Sequence, residues 1–136
     1  MTPLKLTMQG ITALNDNTVN ISFKVDSEQP FVVIAGQFLR LHFTQNDGLE
    51  TFRSYSIANI FPAEKSTLDT IEVAVSWVAG GLATGKLSNM VVSESMEATG
   101  PYGRFCLLPD RHERYFLIAT GTGVTPYRAM LKEIEI

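Results

Sequence analysis

The sequence is poor in cysteine: Cys106 is the only one in 136 residues. No disulfide can form within the chain, and no cysteine cluster can hold zinc or an iron–sulfur centre. Basic clusters are missing as well. The 11 Lys and Arg do not gather into a block and the formal net charge is -3, which leaves no electrostatic footprint for nucleic acid. No stretch approaches the roughly 20 apolar residues that a membrane-spanning helix needs. The start, Met1-Thr2-Pro3-Leu4-Lys5-Leu6, lacks the apolar run of a secretory signal. His42 and His112 are the only histidines and stand far apart; both read as solvated side chains, so no metal site is expected. Together these absences predict a soluble protein of a reducing cytoplasm, with no membrane span and no nucleic-acid partner.

What is present is a globular composition, 45% hydrophobic and 18% charged. The length suits one full domain and is too short for two of ordinary size. Val19, Ile21, Phe23 and Val25 alternate with Asn20, Ser22 and Lys24, the period of a strand with one buried face. Leu39, Leu41 and Phe43 repeat the pattern, as do Ile71, Val73, Val75 and Trp77. Turn formers separate them: Asn15-Asp16-Asn17, Asn46-Asp47-Gly48 and a loop from Phe61 to Asp69. The pattern predicts a mainly β fold, an antiparallel six-stranded Greek-key barrel with one short helix over Leu82–Asn89. Cys106 and Trp77 read as core or near-core residues, and Glu133 and Glu135 as surface charge.

The rhythm changes near Pro109–Arg114, a polar stretch that reads as a linker. Tyr115-Phe116-Leu117-Ile118-Ala119 is a continuous apolar run, expected to be a strand buried on both faces of a parallel sheet. It enters Gly121-Thr122-Gly123 and then a helix from Tyr127 to Ile136, the first unit of a nucleotide-binding α/β sheet. The expected division is therefore a barrel over 1–108 and the linker with an incomplete α/β unit over 109–136. A single strand and helix cannot cover each other, so this unit is expected to dock loosely or swing away, and the chain reads as a fragment of a longer protein.

Four segments carry the chemistry. Arg53-Ser54-Tyr55-Ser56 offers a guanidinium fork for a phosphate, a flat ring two residues on, and a hydroxyl; taken alone, an exposed strand with its arginine in water accounts for it more readily. Gly80-Gly81-Leu82-Ala83-Thr84 lets the main chain approach a ligand closely, with a helix start behind it and the Thr84 hydroxyl in the first turn; an ordinary glycine turn is the other account. Gly100-Pro101-Tyr102-Gly103-Arg104-Phe105 reads as a rigid chain reversal. Gly121-Thr122-Gly123 before Pro126 could take a pyrophosphate, although the third glycine of the longer dinucleotide fingerprint is missing.

In this order and spacing, with Gly36-Gln37-Phe38 ahead of them, the segments resemble the ferredoxin–NADP reductase family, from Leu4 to Met130. The resemblance implies a barrel that holds FAD and a second domain that presents NADH or NADPH. It implies that Arg53 pairs with the FAD pyrophosphate, with Gly80, Gly81 and Thr84 cradling it. Tyr55 would pack on the isoalloxazine, and Ser56, the one catalytic candidate, would hydrogen-bond near N5. Gly121, Thr122 and Gly123 would meet the nicotinamide nucleotide. Electrons would leave to a ferredoxin-like or oxygenase acceptor protein, or to free flavin or another small acceptor. Ser54 and Thr84 depart mildly from the family, which often has proline or a small apolar residue and serine there. The family's later cysteine-glycine segment falls beyond Ile136, so this stretch alone is expected to be inactive with NAD(P)H. The alternatives are a flavin- or nucleotide-binding barrel without turnover and a barrel interaction module with no cofactor.

Overall fold

A computed structural model describes residues 2–107 and 114–134. The strands are β1 (Thr2–Ala13), β2 (Thr18–Asp26), β3 (Val32–Ile34), β4 (Phe38–Thr44), β5 (Glu50–Ser56), β6 (Lys65–Thr67), β7 (Thr70–Ser76) and β8 (Ser95–Tyr102). Helix α1 spans Leu82–Ser88 and α2 spans Thr125–Ile134, with a 3-10 turn at Gly121–Val124 before it.

Six strands form one antiparallel sheet in the order β5-β4-β8-β1-β2-β7. The last strand returns beside the first, a Greek-key connection. Its two edges meet where Ile57, just past β5, bridges Val73 of β7, and the Ala58 N–H donates to the Glu72 carbonyl at 2.7 Å. That seam brings the two edges of the barrel together.

The alternation read from the sequence sets the core. Ile21, Phe23, Leu39, Leu41, Ile71 and Val73 are fully buried, and their partners one residue along face outward. Each such side chain contributes about 1.5–3 kcal/mol by leaving water, more than a single net hydrogen bond at about 0.5–1.5 kcal/mol. Patterning therefore decides which face turns inward, and the ladder follows. The 61–69 stretch is more ordered than a loop: Phe61 is buried, and β6 inside it pairs with β3. His42 is not simply solvated, because its Nε2 lies 2.8 Å from the Thr99 hydroxyl.

Gly36 is required by geometry. Its φ is +105°, and a Cβ there would stand 1.9 Å from the Phe105 carbonyl oxygen. Beside it, the Gln37 side chain accepts from the Ile34 N–H at 2.9 Å and donates to the Gly103 carbonyl at 3.1 Å. This fastens the start of β4 to the turn after β8.

Two expectations for the C-terminal region are corrected. Residues 115–119 form no strand among the described residues, and Phe116 and Ile118 are 87% and 85% exposed. A strand exists only through the hydrogen bonds of its neighbours, and no described strand lies alongside to supply them. The helix, in contrast, does not swing away. α2 satisfies its own backbone and buries Ala129 and Met130 against the barrel core, while the Phe61 N–H donates to the Ala129 carbonyl at 3.3 Å. The expected division at residues 108 and 109, most of the linker, His112 and Glu135 lie outside the described residues.

Candidate functional site

Strand register places the first motif. Arg53 pairs with Leu41 and Tyr55 with Leu39, so both share the face of the sheet that carries those core leucines. Ser54 pairs with Arg40 on the opposite face. The Arg53 guanidinium is exposed and donates only locally, to the Phe52 carbonyl at 2.9 Å and the Thr51 hydroxyl at 3.4 Å. Among the described residues it has no carboxylate partner. Tyr55 is half-buried: burial pushes its phenol above the ordinary value, and the Arg53 charge pulls the other way. Ser56 is half-buried at the end of β5, opposite Phe38, with no hydrogen-bond partner for its hydroxyl among the described residues.

The glycine motif reaches the same place from the other side. Gly80 has φ +74° and open space where a Cβ would sit, whereas a Cβ on Gly81 would lie 3.0 Å from the Val78 carbonyl. Gly81 caps α1 with no side-chain hydrogen bond to the helix start, which leaves first-turn N–H groups for another acceptor. Thr84 has a task within the turn: its hydroxyl accepts from the Val78 N–H at 2.7 Å and so shapes the glycine corner.

Arg53, Gly80 and Gly81 line one open cleft of about 500 Å³ with Gln45, Asn46, Leu82, Gly85 and Lys86. Among the described residues, two cations and no acid line it. Lys86, Gln45 and Asn46 were not singled out from the sequence. Lys86 lies one helical turn beyond Leu82, a spacing that puts both on one face of α1, and Asn46 belongs to a segment that reads only as a turn. A larger cleft of about 970 Å³ carries Asp26, Glu28, Glu50 and Glu97 against Lys5 and His42. That charge balance repels an anion, and size alone does not make it the site.

The structure does not bring every candidate together. Gly121, Thr122 and Gly123 form the 3-10 turn beside β7 and are not among the residues lining the Arg53 cleft. Gly121 has φ +54°, and the Gly123 N–H donates to the Thr120 carbonyl at 3.0 Å. No group of three or more possible metal ligands occurs among the described residues, and no described helix is long and apolar enough to cross a membrane.

Comparison with known proteins identifies the family. Residues 5–106 match the family model of the oxidoreductase FAD-binding domain. The chain is 32% identical to ferredoxin–NADP reductase B of Sorangium cellulosum, covering 96% of this chain and 51% of that protein. It is 29% identical to the reductase component of phenol 2-monooxygenase from a Pseudomonas species, over 93% of this chain and 34% of the relative. The chain thus spans about half or less of the curated relatives' length. In fold it matches a flavohemoglobin from Malassezia yamatoensis with a TM-score of 0.80 at 22% identity, over 98% of this chain and 34% of that one. It also matches a ferredoxin–NADP reductase from Plasmodium falciparum, with a TM-score of 0.74 at 22% identity, over 97% and 52%. The family match covers well over half of the chain, from within β1 to just past β8, and on that ground the chain belongs to the oxidoreductase FAD-binding domain family.

Proposed function

We propose that this chain is the flavin-holding part of an NAD(P)H-dependent electron-transfer enzyme of the cytoplasm. The observation that carries the reading is the acid-free cleft in which Arg53 and Lys86 meet the Gly80–Gly81 corner. Its donors suit a diphosphate: a guanidinium without a carboxylate partner, an ammonium, and a glycine with open space above it. Arg53 and Lys86 neutralise the anion, and Gly80 and Gly81 let the backbone approach it. Tyr55 offers its ring beside Arg53, and Ser56 holds a hydroxyl for a polar ring atom. Thr84 keeps the glycine corner in shape. Gly121, Thr122 and Gly123 present a turn to the nicotinamide nucleotide. Bound there, FAD would be held at its diphosphate by Arg53, Lys86, Gly80 and Gly81 and would supply the redox chemistry, accepting a hydride from NADH or NADPH and releasing electrons in one or two steps. Relatives named as reductases of ferredoxin and of an oxygenase support a protein acceptor, with free flavin or another small molecule as the other class.

Flavin fluorescence titration tests the cleft. FAD should bind well ahead of riboflavin, because riboflavin lacks the diphosphate; equal affinity for the two removes the proposed anion site. Anaerobic stopped flow tests the rest. In the natural full-length protein, flavin absorbance should bleach rapidly with NADH or NADPH, and persistent absorbance with bound FAD would instead indicate a flavin-binding module without turnover.

A further inference from the structure

Arg128 lies outside every motif discussed above, yet it ties α2 to the seam of the barrel. Its Nη1 donates to the Ala58 carbonyl and lies 3.8 Å from a Glu72 carboxylate oxygen. Ala58 and Glu72 are themselves the backbone pair that joins the two sheet edges. The other Glu72 oxygen accepts from the Asn20 side chain at 2.9 Å, and the Glu72 N–H donates to the Asn59 side chain at 2.7 Å. The carboxylate is thereby held in place before Arg128 arrives. With the Arg128 side chain 41% exposed, the ion pair is screened by water. The charge-assisted bond to a fixed carbonyl is the stronger link.

Position gives this link a meaning. Ala58 stands two residues after Ser56, on the segment that carries the flavin motif. Arg128 stands in the first turn of α2, five residues after Gly123. The same helix buries Ala129 and Met130 in the barrel, and Tyr127 donates to the Ile118 carbonyl at 3.1 Å while its ring meets Phe105 at 5.6 Å. Packing holds the helix against the barrel; a hydrogen bond at its start fixes its rotation and slide.

We infer that Arg128 is a positioning residue, a latch that sets the Gly121–Gly123 turn at a fixed place relative to the flavin-binding segment. The inference rests on the functional reading above. Hydride transfer is sensitive to displacements of about 1 Å, so loosening the latch should slow the reaction without weakening flavin binding.

The test uses the FAD-loaded full-length protein and two measurements. In stopped flow, Arg128→Ala should lower the limiting rate of flavin reduction about tenfold or more, with FAD affinity within about twofold of wild type. Arg128→Lys, which keeps a cationic donor, should recover part of the rate, and Glu72→Gln should lie between wild type and Arg128→Ala. In hydrogen–deuterium exchange of the same proteins, Arg128→Ala should speed exchange at residues 121–124 and leave β1, β2 and β7 unchanged. Wild-type reduction rates in Arg128→Ala, or unchanged exchange at the turn, overturn the latch while leaving the functional reading intact. A wild-type protein that binds FAD and is not reduced by either nucleotide overturns that reading and this role with it. Loss of protection throughout the barrel in all three variants would show Arg128 to be a structural clamp, which also overturns the inference.

Discussion

The barrel and the C-terminal region handle apolar sequence in opposite ways. In β4, β7 and most of β2, every second residue goes inward and is buried, because each of these strands has neighbours to take its backbone hydrogen bonds. In the C-terminal region a five-residue apolar run, Tyr115–Ala119, leaves Phe116 and Ile118 almost wholly in water. A few residues later α2 buries its apolar face without difficulty. A helix can be buried alone because it satisfies its own N–H and C=O groups, whereas a strand waits for partners. Hydrophobicity proposes a site of burial; hydrogen bonding decides whether it is taken.

The sharpest test compares one residue type in the two regions. Phe23→Ala, at 0% exposure, should cost about 3–5 kcal/mol by urea denaturation, and Phe116→Ala, at 87%, should stay within about 0.5 kcal/mol. Similar losses would mean that the 115–119 run is covered in solution. Glycine gives the next contrast. Gly36→Ala should cost on the order of 2–5 kcal/mol, since a forced φ is added to a clash with the Phe105 carbonyl. Gly80→Ala, with positive φ and open space, should cost about 1–2 kcal/mol; equal costs would mean that the 36–105 contact yields easily.

Function should divide along the same line. Arg53→Ala should leave the urea midpoint unchanged and weaken FAD binding by roughly tenfold or more, the loss of a charge-assisted pair worth on the order of 1.5–3 kcal/mol. Full retention of FAD on dilution would remove Arg53 from the site. The smallest effect is Tyr55. Its phenol should titrate above the ordinary 10.0 in ultraviolet difference spectra against Tyr55→Phe, and higher still in Arg53→Ala, where the opposing charge is gone. A folded value above the unfolded one means that the folded state holds this proton more tightly. The contribution is therefore intact below about pH 10 and is lost as pH rises through the folded value. Titration at or below 10.0 would place Tyr55 in water.

Much of this was readable in the residues and some was not. The barrel strands were legible because Ile21, Phe23, Leu39, Leu41, Ile71 and Val73 obey a period of two, which survives whatever the loops do. The Arg53 and Gly80–Gly81 segments offered donors suited to an anion by residue type, but that they line one cleft is a fact of topology. Lys86 was hidden for that reason, a surface lysine until α1 is set against β5. The short β3–β6 ladder was missed because three-residue strands carry no period. The 115–119 run misled because its composition is that of a buried strand, and composition does not count neighbours.

The pairing of β1 with β8 sets a timetable for the molecule. Thr2 lies opposite Gly100, so the two flanking neighbours of β1 are its immediate successor β2 and the last strand of the barrel, β8. At about 5–20 residues per second of synthesis, β1 waits roughly 5–20 seconds for β8 to be made. Through that interval one edge of the strand bearing Leu4, Leu6 and Met8 stays open to another nascent chain. Contacts so distant in sequence also place the barrel among slow folders, from milliseconds to seconds once complete. Its most exposed moment thus falls on the ribosome, where early arrest before Ser95 would release strands with open edges in place of a joined barrel.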